Sequence, residues 1–144
     1  MEREQFIIEI SKMFEQIELQ KVSKAQIKTH HSGANGRPGI YFLYNGKKQI
    51  IYIGKVGAGN NTSFYARLYG HGSGAHCNKP WFSKCKHYKF KQFLHATNED
   101  LSVIERLMIY GQGQPRYNDI GKINYKLDNI VVRLKKGEEY GKTR

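Results

Sequence analysis

Between Leu19 and Asn98 the chain contains no aspartate and no glutamate. A solvated surface ordinarily mixes both signs of charge, yet this interval holds 13 lysines and arginines. It is read as a face that meets a polyanion, of which nucleic acid is the commonest. The acids lie outside it, five of the 12 in the first 18 residues and seven from Glu99 onward. Cysteine is nearly missing as well. Cys77 and Cys85 alone are too few for a disulfide scaffold, so a reducing cytoplasm is the expected compartment. His76 and His87 stand beside them, but no C-x2-C or H-x3-H pair is present, which leaves a zinc site as the lesser alternative. No apolar run approaches the roughly 18 residues of a membrane span, and the acidic start is unlike a signal peptide. The Gly-rich segment from Lys55 to Asn61 lacks the G-x-x-x-x-G-K-[ST] pattern, which argues against a bound nucleotide cofactor.

What remains is a chain of 144 residues with net charge +12, 39% hydrophobic and 12% aromatic. That length suggests one domain with a modest core. The pattern predicts an α+β fold, a small antiparallel sheet of three or more strands flanked by helices. Residues 2–19 read as an amphipathic helix on Phe6, Ile10, Met13, Phe14 and Ile17, part of an extension reaching residue 22. A polar connector follows, up to Pro38. Two strands, 39–44 and 49–53, flank an Asn45-Gly46 turn. A two-residue or a four-residue loop puts Tyr41 and Tyr52 on one face of the hairpin, whereas a three-residue loop separates them. Asn61 or Thr62 is placed to cap a short helix over Phe64, Tyr65, Leu68 and Tyr69. On that helix Arg67 and His71, four apart, project from one side. Trp81 and Phe82 are assigned to the core rather than to base stacking. A third strand is expected over 87–94, with Lys89 and Lys91 on its polar side; with Lys47, Lys48 and Lys55 they are candidate substrate contacts.

Asn98 is expected to cap a second major helix carrying Glu99 and Asp100 in its first turn. Leu101, Ile104, Met108 and Ile109 define its apolar face, and Glu105 falls in the middle of that face. A carboxylate there is costly unless it is paired or bound to a cation. A structural ion pair and a functional site both remain open on this pattern. A loop from Gln114 to Asn118, a last strand over 129–134 and a polar, frayed tail from Lys135 complete the expectation.

Gly39-Ile40-Tyr41 and, ten residues further on, Tyr52-Ile53-Gly54 together resemble the GIY-YIG nuclease family, which is named for these tripeptides. The resemblance covers about residues 38–120. It matches Arg67 and His71 to the family's Arg and His, Glu105 to its metal-binding Glu and Asn118 to its Asn. The segment 56–61 stands out as an inserted loop, and recognition of DNA is expected from the domain itself, its extensions or a partner. The resemblance implies a Mg2+-dependent endonuclease acting on DNA, restriction-type or from a phage or mobile element, with Mn2+ as a substitute metal. Tyr41 would receive the proton of the attacking water, helped by Lys55 and His71; Tyr52 would orient the phosphate or water, and Arg67 would hold phosphate oxygens. One Glu with waters and a substrate phosphate suits a single Mg2+. A homodimer is expected on palindromic sites. A structure-directed repair nuclease and a non-catalytic nucleic-acid-binding module are the alternatives.

Overall fold

The computed structural model describes residues 1–72, 74–113, 115–118 and 130–136. Its strands are β1 (Gln20–Lys21), β2 (Gly39–Tyr44), β3 (Ile50–Val56) and β4 (His87–Gln92), joined in one antiparallel sheet of order β1-β4-β2-β3. The helices are α1 (Arg3–Glu15), α2 (Lys24–His30), α3 (Phe64–Tyr69), α4 (Asn98–Gly111) and α5 (130–136). The class is the expected α+β. Among the described residues no helix is long and apolar enough to cross a membrane.

Strand alternation divides the apolar residues between two faces. Ile40, Phe42, Tyr44 and Ile53 turn toward α1 and α4, where they join Phe6, Ile10, Phe14, Leu101, Ile104 and Met108. The Phe14 ring stacks on Phe42 at 4.3 Å. Tyr41 and Leu43 turn the other way, into a second cluster with Ile27 of α2 and with Phe64 and Leu68 of α3. The central strand β2 is therefore buried at every position.

The hairpin reaches the expected arrangement by a different route. Tyr44 pairs with Ile50 and Leu43 with Tyr52, so the loop is five residues long and β3 carries a bulge at Ile51. An odd loop alone would send Tyr41 and Tyr52 to opposite faces. The extra bulge residue restores the parity, and Tyr41 faces Gly54. Asn45 builds the turn, its Oδ1 accepting from the backbone N–H of Lys47 and of Gln49 at 3.0 Å each. Lys48 takes the positive φ of 63°.

Several local expectations are corrected. The connector contains β1 and α2. Helix α2 begins at Ser23, whose side chain accepts from the Gln26 N–H, and Ser23-Lys24-Ala25-Gln26 has the spacing of a capping box. Helix α3 is capped by Ser63, not by Asn61 or Thr62. Thr97 caps α4 in a capping box with Asp100, and Asn98 is the first helical residue. Residues 130–136 are helical where a strand was expected. Ile130, Val131 and Leu134 are buried and Val132 is exposed, the spacing of a helix face. Arg133 ties this helix to α4 through a two-pronged ion pair with the fully buried Asp100. Lys135 and Lys136 belong to the helix, and the rest of the expected tail lies outside the described residues.

Candidate active site

The site begins with a missing side chain. Gly54 lies opposite Tyr41, and a Cβ there would fall on the Tyr41 ring. Its absence lets the ring lie across β3. Gly39 gives the same clearance to the Phe90 ring on the neighbouring strand. Tyr41 is fully buried, with Phe64 5.0 Å away and Tyr52 6.2 Å away between ring centroids.

The Tyr41 hydroxyl lies 2.6 Å from Nε2 of His76. His76 sits in a short 3-10 turn, His76–Asn78, which Asn78 anchors by donating to the Gly72 carbonyl at 2.7 Å. Burial, followed by the nearby charges of Arg67 and Lys79, holds the imidazole down at about 4. Burial, reinforced by Tyr52 and opposed by Arg67, raises Tyr41 strongly. Both groups are neutral at physiological pH. Arg67 can only donate, so the proton between Tyr41 and His76 runs from the phenol to Nε2. The imidazole proton is then on Nδ1, which is buried and has no partner among the described residues.

Arg67 projects from α3 toward the same hydroxyl, and its guanidinium is held charged chiefly by Tyr41. Its Nε is buried without a partner among the described residues, a cost of about 1–3 kcal/mol unless something accepts from it. Tyr52 is also raised, by burial first and then by Glu105. Glu105 stands at the β3 edge of the sheet. Burial raises its carboxyl above the ordinary range, against the charges of Lys55, Arg67 and Arg106 and a hydrogen bond from the Lys55 backbone N–H. The Lys55 side chain runs along α4 and donates to the Ser102 hydroxyl. Tyr41, Tyr52, Lys55, Arg67 and Glu105 are thus brought together, with His76 added. Among the described residues no group of three His, Cys, Asp or Glu is placed to hold a metal ion.

Other candidates lie elsewhere. Helix α3 ends at Tyr69 and Gly70 is extended, so His71 is not on the helix beside Arg67. It is exposed, and His76 takes the place beside Tyr41 that was expected for it. No helical spacing marks His76; the clue is the glycine spacing before it, with Gly72 at a positive φ of 96° that few other residues adopt. Lys89 and Lys91 pair with Phe42 and Ile40 and so point to the α1 side of the sheet, away from Tyr41. Lys89 donates to the Phe14 carbonyl at the end of α1 at 3.0 Å, and Lys91 lies over the Phe93 ring. Lys47 and Lys48 are exposed at the hairpin tip, about 13 Å along the strand from Tyr41. Asn118, a candidate substrate contact by the resemblance, holds the Ile53 backbone: its Oδ1 accepts from the Ile53 N–H at 2.7 Å and its Nδ2 donates to the Ile53 carbonyl at 2.8 Å.

The aromatic surroundings continue outward from Tyr52. Trp81 stacks on Tyr52 at 5.4 Å and 18°, and Tyr117 stacks on Trp81 at 4.9 Å and 13°. Comparison of the chain with protein-family models, with curated proteins and with solved structures finds no match.

Proposed function

We propose that the chain is a metal-dependent endonuclease of the GIY-YIG kind, hydrolysing DNA phosphodiester bonds with water. The observation that carries this reading is the Tyr41–His76 contact of 2.6 Å beside an arginine whose buried Nε finds no acceptor among the described residues. A phosphate oxygen seated on Arg67 satisfies that donor and brings the phosphorus next to the Tyr41 hydroxyl. A phenol this hard to ionise is a poor base alone. Coupled to His76 it becomes a relay: as water attacks phosphorus, its proton passes to the Tyr41 oxygen while the Tyr41 proton passes to Nε2. No free phenolate is required. The P–O3′ bond breaks, the 3′-oxygen takes a proton from solvent, and the products carry a 5′-phosphate and a 3′-hydroxyl.

Glu105 supports the metal requirement. A partly buried carboxylate, raised by its burial, gains from a cation, and a lone carboxylate beside a phosphate suits one Mg2+ with retained waters, or Mn2+ in its place. When bound there, the ion supplies positive charge at the phosphate and the leaving oxygen. Tyr52 and Lys55 orient the phosphate and Glu105. Lys47 and Lys48 at the hairpin tip extend the cationic surface along DNA, and two copies acting together would cut both strands of a palindromic site. Two free cysteines suit work in the cytoplasm.

The test is cleavage of supercoiled plasmid in Mg2+ by wild type and by Glu105→Gln. The wild type nicks or linearises the plasmid, the variant does not, and both retard DNA in a gel. Cleavage by both proteins alike removes Glu105 from the chemistry. Retardation without cleavage by the wild type in either Mg2+ or Mn2+ favours a non-catalytic binding module.

A further inference from the structure

The four rings Tyr41, Tyr52, Trp81 and Tyr117 form one continuous stack. Successive centroids are 6.2, 5.4 and 4.9 Å apart, and successive planes differ by 23°, 18° and 13°. The planes become more nearly parallel as the stack runs from the buried hydroxyl at Tyr41 to the part-exposed ring of Tyr117. Offset-stacked and edge-to-face pairs are both favourable, and the rings here meet in either way, Phe14 and Phe42 at 7° and Tyr69 and Phe82 at 90°. Unlike the Phe14 and Phe42 pair, this series ends on a ring that solvent reaches. Among the described residues the exposed Arg116 lies over the outermost member, its guanidinium 5.6 Å from the Tyr117 centroid.

Building on the nuclease reading of Tyr41 and Arg67, we infer that Tyr117 is the docking platform for an unpaired nucleobase of the strand being cut. The base takes the next place in the stack, and Arg116 either lies over it or turns to its phosphate, since guanidinium planes stack on bases as readily as on aromatic rings. The occupant is set by charge and position: the stack starts at the phosphate-handling cluster, and its end carries a cation. A base inside a duplex is already stacked on both faces. The platform therefore selects a single-stranded tail, a flap or an extruded nucleotide over an unbroken helix, so the substrate class is DNA with unpaired residues a few nucleotides from the scissile phosphate. Stacking of this kind tolerates any base and is worth about 1–3 kcal/mol per base.

The test is equilibrium binding, in chelator so that nothing is cut, of duplex DNA carrying a short single-stranded tail, with the same tail made of abasic residues as the comparison. Wild type should bind the base-bearing tail roughly tenfold more tightly. Tyr117→Phe should keep that ratio. Tyr117→Leu, which still fills space against Trp81 but offers no π face, should bring it to about one while binding of the abasic DNA stays as in wild type. Equal affinity of wild type for the two tails overturns the inference, as does a Leu variant weakened equally toward both. The plasmid assay is independent: base-dependent binding without cleavage in Mg2+ sinks the nuclease reading and leaves the platform standing, and cleavage with no base dependence does the reverse.

Discussion

Replacing His76 by glutamine separates two tasks that the imidazole performs. A glutamine side chain can still hydrogen-bond the Tyr41 hydroxyl but cannot take its proton, and it has no charge to titrate. In the wild-type protein the imidazole falls from 6.5 to about 4 on folding. The folded state thus resists protonation, and the unfolded chain binds more protons wherever the pH lies between those two values. Stability must rise with pH across that window and be lost as pH falls toward 4. Between pH 7 and about pH 4.5 the loss from this one group is about 2 kcal/mol. His76 is nearly fully buried, so solvent does little to screen the effect. Urea unfolding of the wild type at the two pH values should show that loss, beyond what carboxylates contribute, and His76→Gln should remove it. On the proposed chemistry the same variant keeps DNA affinity and loses about 10² to 10⁴ in kcat, the usual contribution of a positioned base. The imidazole should not itself limit wild-type activity from neutral pH down to about pH 5, because at about 4 it remains an acceptor there; the raised Glu105 carboxyl sets the acid limb instead. Two results would refute the reasoning: a glutamine variant that cuts at the wild-type rate, or a glutamine variant that loses the same stability in acid as wild type.

Four other expectations follow from contacts elsewhere in the structure. Gly54→Ala drives a methyl group into the Tyr41 ring; it should cost about 1–3 kcal/mol in thermal or urea unfolding and lower cleavage more than binding, so unaltered kcat would show that the ring has room to move. Asn118→Ala strips both partners from the Ile53 backbone and should lower stability by about 3 kcal/mol, with DNA affinity measured on the folded protein unchanged. Lys89→Ala should leave the salt dependence of DNA binding as in wild type, because that ammonium is committed to the end of α1. Arg67→Ala should instead reduce the slope of log K against log salt by about one; a Lys89 effect as large would place duplex DNA on the α1 face.

The legible and illegible parts of this fold differ in a physical way. Helices α1 and α4 were readable because each buries a stripe several turns long, Phe6 to Phe14 and Leu101 to Ile109, and a repeated stripe has one period. Helix α2 buries Ile27 alone and offers no period to read, so its only sign is the Ser23 cap. The Ile130-Val131-Val132 run reads as a strand because β-branched residues favour strands, yet packing against α4 overrode that preference. The shared face of Tyr41 and Tyr52 was right while both expected loop lengths were wrong, since parity survives any loop and bulge whose lengths sum to an even number. His76 was hidden because its contact with Tyr41 spans 35 residues and depends on how a glycine-rich loop returns. The least legible link joins Asn118 and Glu105. As the outer strand, β3 has backbone N–H groups that point away from the sheet; Ile53 and Lys55 are two of them, and Asn118 and Glu105 each accept from one. The closed edge fixes Glu105 beside Tyr52 and Arg67, so one requirement of an open strand accounts for two polar residues that sequence spacing presents as unrelated.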